Sequence, residues 1–187
     1  MKNIQTEIIS FRQDLTKYNS NRIFKKYLVN DTCYALSNDE QMLLREEISK
    51  RFNIDYQNII IVGSAKLGFS IKAKRRFMNF CDTSDIDIAL ISKDLFEKIW
   101  LEVSRYFSSL GEYEEGNNYC NYLAKNGWIR PDKLPNIQIK DEWFEFFREL
   151  TNSGKYGDYK ISAGLYYNYS FLEEYQLKCI DQCNECK

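Results

Sequence analysis

Two neighbouring stretches of the chain decide the fold. Residues 58–64 read NIIIVGS, and residues 84–92 read SDIDIALIS. The first is a β-branched apolar run closed by Gly and Ser, a pattern typical of a strand that is buried on both faces and ends in a tight turn. The second alternates polar and apolar side chains, which predicts a strand with Asp85 and Asp87 on one face. We therefore expect one strand that ends in a Gly-Ser turn and a second strand that presents two carboxylates.

Helical periodicity accounts for much of the remaining chain. Apolar residues recur every three or four positions between residues 4 and 15, which predicts an amphipathic helix. Ser37 and Glu40 have the spacing of a capping box, and the helix that they begin is expected to run to about Arg51 and to end at Asn53. Further helices are predicted over 94–110, 118–126 and 141–150, a strand over 159–169, and a terminal helix capped by Ser170 with Glu173.

Length and composition favour one folded domain over residues 1–187. The chain has 187 residues, of which 44% are hydrophobic and 16% aromatic, and this excludes disorder throughout. With 26 basic and 27 acidic side chains the net charge is −1, so any phosphate contact must come from local charge segregation. The chain has no histidine, which excludes histidine-based acid–base catalysis and imidazole zinc sites. Carboxylates must therefore carry any chemistry.

The chain has the sequence features of a cytoplasmic protein. Its opening residues, MKNIQTEIIS, lack the apolar core of a secretory signal, and the longest compact apolar run, residues 59–62, cannot span a bilayer, so we expect no membrane insertion. The six cysteines are then expected to be reduced thiols. A zinc site built from Cys179, Cys183 and Cys186, with Cys120 or another distant cysteine as the fourth ligand, is the less favoured alternative.

The aspartate pair and the Gly-Ser turn together favour nucleotide chemistry. Two carboxylates one residue apart on a strand lie roughly 6–7 Å from each other, close enough to share a hard cation such as Mg²⁺, which completes its octahedron with water and substrate phosphates. Between the two stretches, residues 65–80 contain no acidic residue. This basic insert carries Lys66, Lys72, Lys74, Arg75 and Arg76. Its aromatic residues, at 69, 77 and 80, either stack on bases or, as we favour, anchor a hairpin to the core.

The order helix, apolar strand, Gly63-Ser64, then Ser84-Asp85-Ile86-Asp87 resembles the nucleotidyltransferase superfamily with the DNA polymerase β-like palm. The likeness covers roughly residues 37–110 well. The resemblance implies an α+β palm, with a mixed sheet flanked by helices, over about 37–170. It also implies that Gly63 and Ser64 contact the triphosphate and that Asp85 and Asp87 bind Mg²⁺ or Mn²⁺. The cations expected to bind nucleotide are Lys66, Lys72, Arg75 and Arg76.

The family usually adds a third carboxylate from a later strand, and here residues 159–169 contain no acid. Asp158 is the leading candidate for the third catalytic acid, with Asp141 and Asp132 behind it. The nineteen-residue insert between Ser64 and Ser84 resembles the bacterial defence-associated branch, including the Hailong type. That branch implies an anti-phage role, an oligonucleotide product and a partner effector protein.

The resulting hypothesis is transfer of a nucleoside monophosphate from an NTP or dNTP to a hydroxyl acceptor. Three alternatives stay open. A protein hydroxyl, including a tyrosine of the chain itself at 166, 167 or 169, is the acceptor, since an activated phenol is a competent nucleophile. A catalytically inactive palm binds nucleotide or a partner as a regulator. Last, the basic insert binds nucleic acid without any reaction.

Overall fold

A four-stranded mixed sheet forms the centre of the molecule in a computed structural model that describes residues 3–30 and 32–184. The strands lie in the order β1-β2-β4-β3. They are β1 (Ile59–Val62), β2 (Ile86–Ile91), β3 (Trp128–Ile129) and β4 (Ile161–Tyr166). β1 and β2 pair antiparallel, β2 and β4 parallel, and β3 and β4 antiparallel. The strands predicted at 58–64, 84–92 and 159–169 are confirmed, and so is the α+β class with a mixed sheet flanked by helices.

Eight α-helices surround the sheet within the described residues. They are α1 (Ile4–Lys17), α2 (Ser20–Tyr27), α3 (Asn38–Phe52), α4 (Gly63–Leu67), α5 (Lys93–Leu110), α6 (Tyr113–Asn126), α7 (Gln138–Asn152) and α8 (Tyr169–Asn184). The capping box at Ser37 and Glu40 is present in both directions, and Asn53 ends α3 in the left-handed conformation, as predicted. The sequence did not predict α2, α4 or the two-residue β3; a tight turn was expected at Gly63 and Ser64, and these residues instead begin α4.

The cap of the terminal helix is a correction to the sequence prediction. Ser170 lies inside α8, which begins at Tyr169. Asn168 precedes the helix, and its side-chain oxygen accepts a hydrogen bond from Phe171 N at 3.2 Å. Asparagine is as good a capping residue as serine, and its amide oxygen reaches the free N–H groups of the first turn. The capping signal was therefore correctly placed near this helix but assigned two residues too late.

The two faces of the sheet are covered differently. On one face, the inward side chains of the strands, such as Ile61, Ile88 and Leu165, join the main core with α3, α5 and α7. On the other face, Leu172 of α8 packs against Ala89, Ile91 and Tyr166, so α8 covers the half of the sheet at the carboxyl ends of β2 and β4. The half of that face at the start of β4 is left for a cavity.

The basic insert is anchored as a hairpin. Phe69 pairs with Asn79 in an isolated antiparallel bridge, and Phe69 and Phe80 are buried. Phe69 packs with Phe11 of α1, with ring centroids 5.3 Å apart. The favoured interpretation, in which the aromatic residues of the insert hold it to the core, is confirmed, while Phe77 is only partly buried.

Two further expectations concern the membrane and the thiols. No helix within residues 3–30 and 32–184 has the length and apolarity needed to cross a bilayer. Five cysteines are free thiols within the same residues: Cys33, Cys81, Cys120, Cys179 and Cys183. Cys186, which the less favoured zinc site requires, lies outside the described residues.

Candidate active site

The open half of the sheet face forms the floor of a cavity of about 920 Å³. Gly63, Asp85 and Asp87 all line it, so the two stretches that decide the fold meet at one place. The antiparallel register of β1 and β2 brings this about, because Val62 lies opposite Asp87 and Gly63 follows directly. Both carboxylates face this single space, as the alternation along β2 predicts.

Asp87 stands at the centre of the hydrogen bonds on the cavity floor. Its Oδ2 accepts a hydrogen bond from Lys72 Nζ at 3.1 Å, and its Oδ1 accepts one from Ser162 Oγ at 3.1 Å. The Lys72 side chain is 54% exposed and that of Asp87 31% exposed. An ammonium group on a largely exposed side chain therefore lies against Asp87 Oδ2.

Gly63 leaves space beside the same oxygen. It has a φ of +70°, and a Cβ added to it would lie 3.0 Å from Asp87 Oδ2. Any other residue would be strained in that conformation and would press on the carboxylate. Ser64 follows in α4, is half-buried, and does not line the cavity. The glycine of the Gly-Ser pair is thus next to the aspartates, and the serine is one step removed.

The cations of the basic insert lie in different places in the structure. Lys72 alone of the four nucleotide-binding candidates lines the cavity. Lys66 is buried, and its Nζ donates a hydrogen bond to the carbonyl oxygen of Asn30 at a separate, smaller pocket. Arg75 is exposed and Arg76 half-buried, and neither lines the cavity.

Three other cations line the cavity instead, and sequence reasoning missed them: Arg130, Arg148 and Lys160. Arg130 pairs with Asp132, with Nη2 and Oδ2 2.8 Å apart. They come from the loop after β3, from α7 and from the residue before β4, so no contiguous basic run marks them. Only the packing of these elements around β4 brings them together.

Ser162 lies next to the aspartate pair on β4, the later strand from which the family resemblance leads us to expect a third acid. It lies opposite Asp87 in the parallel register of β2 and β4. Asp158 and Asp141 are exposed and lie outside the lining of the cavity, while Asp132 lines it but is paired with Arg130. Within the described residues, no group of three or more acidic, cysteine or histidine side chains forms a metal site. Two carboxylates are thus available to a cation here.

A pair of carboxylates is a ligand set that fits Mg²⁺, since this ion is held in proteins by one or two carboxylates and keeps water or phosphate oxygens elsewhere. The Lys72 ammonium at Asp87 Oδ2 and the space beside Gly63 agree with a cation at this carboxylate. Asp85 and Asp87 would hold it.

Aromatic side chains form the wall at the other end of the floor. Trp128 stacks on Tyr166 with ring centroids 5.6 Å apart and planes inclined by 1°. The Trp128 indole lies over Gly164, where a Cβ would overlap its nitrogen. That nitrogen is buried and has no hydrogen-bond partner within the described residues. Burial raises the pKa of Tyr175, which also lines the cavity, to about 12.

The three candidate acceptor tyrosines are placed differently. Tyr166 lines the cavity, but it is buried, and desolvation raises the pKa of its hydroxyl above the ordinary value of 10.0. Tyr167 donates its hydroxyl hydrogen to Glu97 Oε1 at 3.1 Å, and neither it nor Tyr169 lines the cavity. A phenol that resists ionisation is a poor nucleophile at neutral pH.

Comparisons of the chain with protein-family models, with curated proteins and with solved structures found no match. The function is therefore argued from the site.

Proposed function

We propose that the chain is a metal-dependent nucleotidyltransferase of the polymerase β-like type, acting on an NTP or dNTP. The observation that carries the proposal is the meeting of Asp85 and Asp87 with Gly63 in one cavity that also contains Lys72. Paired carboxylates beside a glycine with room for close approach are the parts that a site for a metal-bound triphosphate requires.

Each of these residues has a role in substrate binding. Mg²⁺ held by Asp85 and Asp87 would neutralise charge on the triphosphate and polarise its α-phosphorus. Gly63 lets the phosphate chain approach its backbone, since there is no Cβ to block it. Lys72 releases Asp87 and pairs with the phosphates instead, because three donors on a flexible stem suit a phosphate oxygen. The ion pair between Lys72 and Asp87 is thus replaced by contacts of both side chains with the metal-bound substrate.

The reaction follows from this placement. The acceptor hydroxyl oxygen bonds to the α-phosphorus, and the bond from that phosphorus to the oxygen of the departing pyrophosphate breaks. The hydroxyl proton passes to water, since Ser162, the neighbour of Asp87, is not a base. The products are a nucleotidylated acceptor and pyrophosphate.

The test is incubation with each α-labelled NTP and dNTP in turn, with Mg²⁺ or Mn²⁺, following pyrophosphate release and label transfer. We expect the double variant Asp85→Asn, Asp87→Asn to lose both signals. Asp158→Asn is the matched control, because Asp158 is exposed and lies outside the cavity. Product formation that is unchanged in the double variant would rule the proposal out, and loss in Asp158→Asn would restore Asp158 as a third acid.

Ser162 favours a second candidate, a nucleotide-binding regulator without catalysis. Two-metal chemistry needs ligands for both ions, and a serine in place of the third acid weakens the second position. A regulator of this kind would rise in melting temperature with NTP and Mg²⁺ through ligand linkage, yet release no pyrophosphate. The same incubations therefore separate the two candidates.

A further inference from the structure

The cavity extends past the edge of the sheet, beyond the aspartate pair. β3 pairs only with Leu165 and Tyr166 at the end of β4, so no strand from the described part of the chain lies beside the first four residues of β4 on that side. α7 stands there instead, tied to the strand by a hydrogen bond from Ile161 N to Thr151 Oγ1 at 2.9 Å. Residues of this edge and of α7 line the same cavity, and we refer to the part between them as the compartment between β4 and α7.

α7 presents one exposed ring and one cation to this compartment, beside the buried rings of Trp143 and Phe147. Phe144 and Arg148 are four residues apart, so they lie on the same face of the helix, and both line the cavity. Phe144 is 45% exposed and forms no ring contact with another aromatic residue among the described residues. A large exposed ring in a cavity wall is a surface on which a planar group can stack.

Two cations in the compartment lack a carboxylate. Arg130 is compensated by Asp132, but neither Arg148 nor Lys160 forms an ion pair within residues 3–30 and 32–184. Two uncompensated positive charges that line one cavity attract an anion. The hydroxyl of a serine, threonine or tyrosine is uncharged and would not itself compensate either cation, whereas the phosphates of a nucleic acid would compensate both.

The direction of the reaction assigns this compartment to the acceptor. If the triphosphate tail lies at Gly63 and Lys72, on the β1 side of Asp87, the leaving pyrophosphate also lies there. In-line displacement brings the attacking oxygen from the opposite side of the α-phosphorus. That side is β4 with Ser162, and beyond it the compartment between β4 and α7.

We propose that the compartment between β4 and α7 is an acceptor subsite for a nucleotide or oligonucleotide, with Phe144 stacking on a base and with Arg148 and Lys160 binding its phosphates. The proposal rests on the proposed function and names its acceptor as a phosphate-bearing nucleic acid, not a protein.

The first test measures binding without metal or triphosphate. The probe is a single-stranded hexanucleotide, as DNA and as RNA, with a free 3′ hydroxyl and a fluorescent group at the 5′ end. We expect the double variant Arg148→Ala, Lys160→Ala to weaken binding by about tenfold for each cation lost. The plot of log affinity against log salt concentration should become less steep by roughly 1.4, since each phosphate contact on a single strand contributes about 0.7 to the magnitude of the slope.

The matched control is Arg105→Ala, Lys98→Ala, which removes one exposed arginine and one exposed lysine from α5, outside the cavity. We expect it to bind like the unmodified chain. Phe144→Leu, which keeps an apolar side chain, should weaken binding by about tenfold with an unchanged salt slope, because it removes stacking and no charge. Equal binding by the cavity variant and the α5 variant would overturn the proposal.

The second test locates the product. With unlabelled hexanucleotide and the α-labelled triphosphates, the label should appear in a longer oligonucleotide that resists protease. Label recovered in the protein, with pyrophosphate released, would overturn the acceptor assignment and leave the transferase proposal standing. Hexanucleotide binding that depends on Arg148 and Lys160, without pyrophosphate from any triphosphate, would support the compartment as a nucleic-acid site and reject the transferase, and with it the acceptor role.

Discussion

Replacing Gly63 with alanine tests whether the space beside Asp87 is needed. Gly63 has a φ of +70°, and an L residue in the left-handed region costs roughly 1–2 kcal/mol. For a chain of this size, 1 kcal/mol lowers the melting temperature by roughly 2–4 °C, so we expect a decrease of roughly 2–8 °C. The new Cβ would also lie 3.0 Å from Asp87 Oδ2 and displace the carboxylate. A misplaced catalytic group is costly, and we expect pyrophosphate release to fall by at least about tenfold.

Gly111→Ala separates the two effects. Gly111 ends α5 with a φ of +72°, but an added Cβ there would meet no atom within 4 Å. The two variants should therefore lose similar stability in thermal unfolding, and only Gly63→Ala should lose Mg²⁺-dependent triphosphate binding and pyrophosphate release. The reasoning is refuted if both variants lose activity equally, or if Gly63→Ala keeps activity within about twofold of the unmodified chain.

Three further predictions follow from individual contacts. Ser162→Asp adds a third carboxylate beside Asp87, so the affinity of the site for Mg²⁺ should rise about tenfold or more with the added ligand charge. Ser162→Asn adds no charge and should not raise the affinity, and equal effects of the two variants would contradict the prediction. Hydrogen bonding to Lys26 lowers the pKa of Asp14 below 3.8, so the stabilisation from the Asp14 carboxylate is present above that pH and lost below it. Asp14→Asn should therefore lower the melting temperature at neutral pH, and the difference from the unmodified chain should shrink in acid. A difference that does not change with pH would disprove the assignment. A hydrogen bond from Thr83 lowers the pKa of Cys81, which is exposed, so iodoacetamide should modify Cys81 before the other four cysteines of the described residues, and at a pH below 9.0. Cys81→Ser should remove this modification, and unchanged labelling would contradict the assignment.

The helices and strands that are marked by clear local sequence patterns were predicted correctly. β1 and β2 follow from a β-branched run and a strict alternation, and α3 follows from a capping box and a left-handed asparagine. β3 was missed because two residues cannot show a period, and only pairing with Leu165 and Tyr166 makes Trp128 and its neighbour a strand. The cap of α8 was misplaced because both Asn168 and Ser170 are capping residues and the sequence does not choose between them.

In the candidate site too, residues in contiguous sequence patterns were predicted and residues outside such patterns were missed. Asp85, Asp87 and Gly63 were found because each lies in a contiguous pattern, and one strand register brings them together. Lys66 was assigned to nucleotide binding only because it belongs to a basic run, yet its ammonium lies on the buried side of α4, with Asn30. Arg148 and Lys160 belong to no run and were not found.

Sequence patterns within a few positions were thus sufficient for β2 and the two aspartates of its alternation, for the glycine that follows β1 and for the helices with strong caps. Their signals involve residues within a few positions of one another. Tertiary structure alone decided that Ser162 lies opposite Asp87, 75 residues away, and that α7 walls the cavity. A parallel pair needs a long crossover, and the packing of α5, α6 and α7 in that crossover determines which distant side chains reach the carboxylates.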